Sequence, residues 1–204
     1  ERAAAGDVLA TVRGKARTLL TGERVALNFQ QRLSGIATMT RKHADAVAGT
    51  GCKILDTRKT TPGLRRLEKW ATVCGGATNH RIGLFDAVLI KNNHITACGS
   101  ITAAVTALRA ETQVPIEVEV RSFDELEEAL SLNIERIMLD HFSLNDMQRA
   151  VTIAAGRTPL EASGNMTLER IPAVAATGID FISVGALTHS VTALDISFTF
   201  DPTH

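Results

Sequence analysis

The chain has 204 residues, which is enough for one domain with a full hydrophobic core. Hydrophobic residues make up 45% and charged residues 22%, a composition that excludes disordered, collagen-like and low-complexity chains. The 22 basic and 22 acidic residues leave no net charge, so we expect no partner bound through overall charge, such as nucleic acid or an acidic membrane.

The first part of the chain is predicted to be mainly helical. Residues 8–13 alternate weakly between apolar and polar side chains, which favours a short strand. Between residues 15 and 48, apolar side chains recur at helical intervals over a length that exceeds an ordinary globular helix. We therefore expect two helices with a joint near Ser34 and Gly35.

Beyond residue 51, short apolar runs alternate with amphipathic segments, which is typical of a parallel sheet built from βαβ units. Residues 71–75 are a weaker candidate for an additional strand. This pattern predicts an incomplete α/β barrel of the TIM type with six or seven strands. The six clearer strands are predicted at 53–56, 87–90, 116–120, 136–140, 159–163 and 180–184. Helices are predicted between them at 100–110, 122–132, 143–155 and 167–177.

Polar or glycine residues end or follow the predicted strands. In a parallel barrel these ends meet at one opening, here called the mouth, where active sites form. Charges of one sign repel one another unless anions neutralise them, so basic residues there predict a pocket for phosphates or for a substrate with two carboxylates. Solvated charges paired with nearby Asp and Glu residues are the alternative, and Lys91 alone could form a Schiff base. The basic residues are Arg58, Lys59, His80, Arg81, Lys91 and His94.

Two carboxylates, Glu119 and Asp140, stand at the ends of neighbouring predicted strands, and Glu117 shares a strand face with Glu119. Two carboxylates beside a phosphate pocket suit Mg²⁺, bound directly or through water, and salt bridges to the basic group are the alternative. The last two strand ends carry residues typical of a phosphate site formed by backbone N–H groups. These residues are Ser163, Gly164, Asn165, Ser183, Gly185 and His189.

Other kinds of site are not indicated by the sequence. The spacings show no Ser-His-Asp or Cys-His triad. The three cysteines form no CxxC motif and no zinc spacing with histidine, so we expect free thiols in a reducing cytoplasm. The apolar runs are too short to span a bilayer and no secretory signal is recognisable, so we predict no membrane partner.

The motifs at the strand ends resemble those of the quinolinate phosphoribosyltransferase family. The most specific one is DTRKTTPGLR at residues 56–65, which is similar to the family signature. The resemblance covers nearly the whole chain, in order. It continues through 75–81 (GGATNHR), 89–94 (LIKNNH), 116–120, 138–140, 161–165 and 182–190, and upstream through 23–38.

The resemblance implies an enzyme that condenses quinolinate with phosphoribosyl pyrophosphate in de novo NAD synthesis and releases pyrophosphate and CO₂. It implies Mg²⁺ dependence and a cytoplasmic homodimer, or a multiple of one, with Arg24 contributed across the interface. It also implies a barrel domain at 39–190. Residues 1–38 would be the remnant of an N-terminal α/β sandwich domain and the connecting helix, and residues 191–204 a C-terminal strand that returns towards that domain. Most of the N-terminal domain would then precede the first residue of this chain.

The family pattern implies roles for single residues as well. Two positions depart from it: Asn165 stands where a second glycine is common, and His141 stands where asparagine is common. The implied catalytic residues are Glu119, Asp140 and Lys59, and the two acids are also the implied metal ligands. The implied substrate-binding residues are Arg24, Thr57, Arg58, Lys59, His80, Arg81, Lys91 and His94.

Two alternatives stay open at this point. A paralogue on the same scaffold could act on another substrate, as in the type associated with molybdenum transport or a nicotinate-specific relative. An inactive fragment could dimerise or bind phosphate without catalysis. The intact DTRKTTPG, HR and KNNH stretches favour the quinolinate enzyme.

Overall fold

The structure, a computed structural model, describes residues 2–200. These residues form six strands: β1 (Lys53–Leu55), β2 (Val88–Ile90), β3 (Ile116–Val120), β4 (Arg136–Asp140), β5 (Leu160–Ser163) and β6 (Phe181–Ser183). They also form eight helices: α1 (Ala16–Ala46), α2 (Arg65–Gly75), α3 (Asn92–Cys98), α4 (Ile101–Glu111), α5 (Phe123–Ser131), α6 (Leu144–Ala154), α7 (Ile171–Ala175) and α8 (Ala186–His189).

The six strands form one parallel sheet in the order β1-β6-β5-β4-β3-β2. Every strand lies within a run that the sequence pattern indicates, so the six predicted strands are confirmed. Among the described residues, β1 and β2 are the two edges of the sheet and do not pair with each other. The fold is therefore an incomplete α/β barrel, as predicted, and its parallel strands place all their carboxyl ends at the mouth.

Strand β3 shows how charged groups come to lie inside the barrel. All five of its residues are buried. Ile116, Val118 and Val120 belong to the hydrophobic core. Glu117 and Glu119 alternate with them and lie on the opposite face of the strand. One face of β3 thus stabilises the fold, and the other presents carboxylates to the barrel interior.

Helices α4, α5 and α6 begin at serine caps. The side chains of Ser122 and Ser143 accept hydrogen bonds from the N–H groups of Glu125 and Asp146, and Ser100 caps α4 in the same way. Helix α7 is shorter than the predicted segment. Within residues 2–200, we find no helix that combines the length and the apolar character needed to cross a bilayer.

The prediction of a seventh strand at 71–75 is wrong, because these residues form the end of α2. The buried positions of α2 recur at helical spacing, and the helix ends at Gly76, whose φ is 99°. The chain then returns to the open edge of β1, where the N–H of Thr78 donates to the Ile54 carbonyl at 2.9 Å. This contact brings the residues that follow Thr78 to the carboxyl end of β1.

Helix α1 is one continuous helix of 31 residues, so the predicted joint is wrong. Gly35 serves instead as a contact point for residues 191–200, because an added Cβ would lie within 2.2 Å of the Thr192 carbonyl oxygen. The N–H of Leu194 donates to the Gln31 carbonyl at 3.0 Å and holds this segment against α1. A glycine inside a helix can therefore mark a close approach rather than a break.

The strands predicted at 8–13 and 191–204 are not formed within the described residues. Residues 8–13 and 191–200 have no regular secondary structure, and 201–204 lie outside the described residues. A strand needs a neighbour for its backbone hydrogen bonds, and neither segment joins an edge of the sheet. The division of the chain at residues 38 and 190 stays a prediction.

Replacing Gly35 with alanine is expected to lower the free energy of unfolding by about 1–3 kcal/mol, as overpacking does. The new methyl group would collide with the Thr192 carbonyl. Gly22→Ala in the exposed half of α1 is the control, because a Cβ there meets nothing within 4 Å. It should raise stability by about 0.5–1 kcal/mol through better helix propensity. Urea unfolding measures both, and equal stability of the two variants would contradict this role of Gly35.

Candidate active site

At one side of the mouth, the loop after β1 contacts the loop after β6. A Cβ added to Gly185 would lie 3.1 Å from Lys59 Cδ and 3.1 Å from His189 Nε2. The hydroxyl of Thr188 donates to the Lys59 carbonyl at 2.8 Å. A predicted phosphate loop and a predicted basic residue are thus neighbours in space, although they are far apart in the chain.

At the other side of the mouth, side chains link the ends of β2, β3, β4 and β5. Lys91 Nζ lies 2.5 Å from Glu119 Oε2. Arg121 stands between the two acids, 3.5 Å from Glu119 Oε1 and 3.4 Å from Asp140 Oδ2. The hydroxyl of Ser163 donates to Asp140 Oδ1 at 3.0 Å. Both predicted metal ligands therefore lie within reach of one cation, here a guanidinium group, and the alternative of a salt bridge to a basic residue is also realised.

Two arginines of the mouth lack an acidic partner. Burial lowers the pKa of Arg81, repulsion from the positive charge of Arg58 lowers it further, and the charges of Glu117 and Asp86 act in the opposite direction. Within residues 2–200, neither forms an ion pair: Arg81 donates to the Ala87 carbonyl at 3.2 Å, and Arg58 Nε is buried without a partner. Such a pair is unfavourable unless an anion binds to it, and planar guanidinium groups suit carboxylates.

His80 lies inside the barrel and uses both ring nitrogens. Its Nδ1 accepts the N–H of Arg81 at 2.8 Å, and its Nε2 lies 2.9 Å from Glu117 Oε2 and 3.5 Å from Glu161 Oε2. A nitrogen that accepts a backbone N–H carries no proton, so the ring is neutral and its Nε2–H faces the carboxylates. Burial, the largest of several causes, lowers the pKa of His80. The ring thus orients the backbone of Arg81.

Three further residues with predicted roles have simpler surroundings. Thr57 Oγ1 accepts the N–H of Lys59 at 3.1 Å and orders the loop after β1. His94 Nδ1 accepts the N–H of Lys91 at 2.9 Å at the start of α3. Arg24 lies in the exposed half of α1, where we find no ion pair with another described residue. Their roles towards substrate stay predictions.

Two family descriptions match this chain. The C-terminal domain of quinolinate phosphoribosyl transferase matches residues 36–199, and the N-terminal domain of the same family matches residues 1–34. The chain belongs to the quinolinate phosphoribosyl transferase family. The two matches meet in the middle of α1, so this helix connects the two family domains.

Individual relatives match nearly the whole of this chain. A protein of Synechocystis called probable nicotinate-nucleotide pyrophosphorylase (carboxylating) is 51% identical over 95% of this chain, and the match covers 67% of that protein. A Bacillus subtilis protein of the same name is 49% identical over 94% of this chain and is covered to 67%. The solved nicotinate-nucleotide pyrophosphorylase of Francisella tularensis is 50% identical with a TM-score of 0.86, over 89% of this chain and 65% of that chain. This chain thus spans about two thirds of the length of these proteins.

The two departures from the family pattern occur where the backbone is left-handed. Asn165 has a φ of 48° and His141 a φ of 60°. Glycine, asparagine and histidine tolerate this region better than other residues do, so each departure exchanges residues of similar tolerance. Gly164 also has a positive φ, and a Cβ there would lie 2.8 Å from the His141 ring. Arg170 holds this loop by donating to the Gly164 carbonyl at 3.1 Å.

Two members of a buried charge cluster, Glu161 and Arg136, are not recognisable as site residues from their spacing. Arg136 Nη1 lies 3.0 Å from Glu161 Oε2 and 4.0 Å from Glu117 Oε2. Burial raises the pKa of both carboxyl groups, and the charge of Glu117 helps to raise that of Glu161 to about 8. One shared proton leaves one negative charge opposite the guanidinium group. His80, Glu117 and Glu161 are residue types that can ligate a metal ion, but Arg136 already supplies a positive charge to the two carboxyl groups.

Glu161→Gln is expected to flatten the pH dependence of stability. The folded protein keeps the proton of Glu161 up to about pH 8, whereas the unfolded chain releases it near 4.5. The folded state binds more protons between these values, so rising pH favours unfolding in this window. Glutamine carries no such proton. Urea unfolding at several pH values should therefore show a smaller loss of unfolding free energy as the pH rises. Glu127→Gln at an exposed site of α5 is the control; equal slopes in all three proteins would contradict a buried, protonated carboxyl group.

Proposed function

We propose that the protein transfers the phosphoribosyl group of phosphoribosyl pyrophosphate to quinolinate and forms nicotinate mononucleotide, pyrophosphate and CO₂ in de novo NAD synthesis. The names of the relatives support this proposal. The observation that carries it is the pair of guanidinium groups of Arg58 and Arg81, which share the mouth without an acidic partner among the described residues.

Quinolinate carries two carboxylates, and a pair of arginines matches it in charge and shape. Each guanidinium group can bind one carboxylate through two parallel hydrogen bonds. The buried Nε of Arg58 would gain an acceptor from the substrate, and the repulsion between Arg58 and Arg81 would be neutralised. Lys91 is half exposed and adds a mobile cation at the same mouth.

The phosphates of the second substrate would bind at the loops after β5 and β6. Gly164 and Gly185 carry no Cβ and so leave room for basic or aromatic side chains against the backbone, with His141 beside Gly164. Lys59 and His189 lie beside Gly185 and place basic side chains next to this loop. We therefore assign the 5′-phosphate to these loops and the ribose to the space between them and the two acids of the mouth.

Mg²⁺ is the expected cofactor, and the acids of the mouth fit it. Glu119 and Asp140 both contact the Arg121 guanidinium group, so two carboxylates are available to one cation. Mg²⁺ prefers carboxylate oxygens, water and substrate phosphates. When bound, it would neutralise charge on the departing pyrophosphate. We propose that these two residues hold it, directly or through water.

The reaction requires no protein nucleophile. The pyridine nitrogen of quinolinate attacks C1 of the ribose while the bond from C1 to pyrophosphate breaks. The carboxylates of Glu119 and Asp140 would stabilise the positive charge that develops at C1, and Arg58 and Arg81 would orient the ring. The nitrogen is then cationic and stabilises the electron pair that remains at C2 when CO₂ leaves. C2 finally takes up a proton.

The proposal includes a cytoplasmic homodimer, or a multiple of one, in which Arg24 completes the site of the second copy. Arg24 is exposed on α1. Leu20, Val25 and Phe29 are apolar and also exposed on the same half of this helix. Contact with a second copy would bury them and contribute about 25 cal/mol per Å² of apolar area.

The proposal is tested by supplying quinolinate, phosphoribosyl pyrophosphate and MgCl₂ and by measuring nicotinate mononucleotide chromatographically. The assay uses the full-length product of the gene and, separately, the 204-residue chain. Product formation by the full-length protein supports the proposal. Saturable phosphate binding without quinolinate binding would instead indicate a paralogue or an inactive fragment.

Arg81→Ala is expected to raise the dissociation constant for quinolinate about 10- to 100-fold, because a hydrogen bond to a charged group contributes about 1.5–3 kcal/mol. Binding of phosphoribosyl pyrophosphate should change little, since its phosphates are assigned to other loops. Calorimetric titration with each substrate measures both constants. Arg66→Ala at an exposed position of α2 is the control. Equal losses for both substrates would contradict the assignment of Arg81 to quinolinate.

Asp140→Asn is expected to lower kcat more than it raises the KM for quinolinate. The carboxylate acts on charge that develops in the transition state, so its loss affects the chemical step first. Asparagine keeps the size of the side chain and an acceptor for the Ser163 hydroxyl. Steady-state kinetics measure both parameters, with Asp124→Asn at an exposed site of α5 as the control. A higher KM at unchanged kcat would exclude this role.

A further inference from the structure

We propose that the buried ion pair of Asp56 and Lys69 is a positioning device that sets the distance between Arg58 and Arg81. The side chains of the pair are 0% and 2% exposed, so both are positioning residues that act through others. The identity of the anion rests on the proposed function, whereas the geometry of the pair is independent of it.

The pair holds His80 by both of its backbone polar groups. Lys69 Nζ lies 2.5 Å from Asp56 Oδ1. The same carboxylate oxygen accepts the N–H of His80 at 2.8 Å, and the same ammonium group donates to the His80 carbonyl at 2.8 Å. His80 cannot move without separating backbone groups from buried charges, and hydrogen bonds to charged groups are the stronger ones.

The second oxygen of Asp56 is occupied as well. The hydroxyl of Thr72 lies 3.1 Å from Asp56 Oδ2 and 2.7 Å from the Lys69 carbonyl, and its one proton is shared between these two acceptors. Asn79 donates to the same oxygen at 2.7 Å when its amide nitrogen faces the carboxylate. The carboxylate thus accepts from Lys69, His80 and Asn79, and the Thr72 hydroxyl lies beside it. A buried and fully hydrogen-bonded group of this kind is rigid.

Each arginine of the anion site lies close in sequence to this device. Arg58 stands two residues after Asp56, just beyond β1, and Arg81 directly follows His80. The Nδ1 of His80 accepts the N–H of Arg81 at 2.8 Å, which passes the fixed position of His80 on to Arg81. The Asp56–Lys69 pair therefore connects the two segments that carry the guanidinium groups and holds them together against their repulsion.

Stability by itself is a weak reason for a buried ion pair. Desolvation of the two charges cancels much of their attraction, and apolar replacements of similar volume are often equally stable. An apolar pair at these positions would fill the space but would leave the N–H and the carbonyl of His80 without partners. What the charges of Asp56 and Lys69 add is a fixed peptide next to Arg81.

The test uses Lys69→Met, Asp56→Asn and the double variant in the full-length product of the gene. Each single change leaves a buried charge without its partner, so the double variant should be the most stable of the three. All three disturb the hold on His80. We expect their KM for quinolinate to rise about 10- to 100-fold through misplacement of Arg81, with a nearly unchanged KM for phosphoribosyl pyrophosphate.

Two further variants separate positioning from stability. Leu126→Ala truncates a fully buried core residue of α5, so it lowers stability and should leave both KM values unchanged. Thr72→Val removes the hydroxyl that lies beside Asp56 and the Lys69 carbonyl but keeps both charges and the side-chain volume. It gives a mild variant that can be measured even if the others do not fold, and a smaller rise of the quinolinate KM is expected. Amide hydrogen exchange over residues 77–87 measures loosening of the segment without any substrate.

A rise confined to the quinolinate KM, together with faster exchange over residues 77–87, supports the positioning role. Equal rises of both KM values would overturn it, and so would a normal quinolinate KM in the double variant. If the unmodified protein does not convert quinolinate, the proposed function fails, and the exchange rates alone then decide whether the Asp56–Lys69 pair holds the segment.

Discussion

The repulsion between the guanidinium groups of Arg58 and Arg81 is the constraint around which the site is built. The two residues come from different segments, one after β1 and one after α2, and the fold keeps both at the mouth. Both residues are partly buried, and the protein around them screens their repulsion less than water would. An anion with two carboxylates relieves it, and this requirement connects the fold of the chain to the class of substrate that we propose.

Charged side chains in the barrel interior have partners of opposite charge, whereas some of those at the mouth do not. Inside, cations face buried carboxylates: Lys69 faces Asp56, and the partly exposed Arg136 faces Glu161. At the mouth, Arg58 keeps a buried Nε without a partner. A buried polar atom without a partner is unfavourable, and an anion bound at the mouth would give Arg58 Nε an acceptor. The paired charges of the interior thus hold the site in place, and the arginines of the mouth are the ones that would bind the substrate.

Local patterns predicted the strands well because apolar runs of four or five residues between turn signals leave few alternatives. They failed where a contact distant in the chain decided the outcome. Glycine often marks the end of a helix, but Gly35 lies inside α1, where its missing side chain leaves room for the Thr192 carbonyl. Residues 71–75 are too few to distinguish the period of a strand from that of a helix. They are helical because they continue the buried face of α2. Residues 8–13 alternate as a strand does but have no partner strand within residues 2–200.

The sequence by itself determined the family, the succession of strands and helices and the residues that stand at the strand ends, because these follow from motifs and spacings that are contiguous in the chain. It also indicated that cations and carboxylates meet at one mouth. Only the tertiary structure decided which of them pair: Lys91 with Glu119, Lys69 with Asp56, and Arg58 with no described carboxylate. The physical reason is that ion pairing and pKa depend on distance in space and on burial, and neither is a property of sequence spacing.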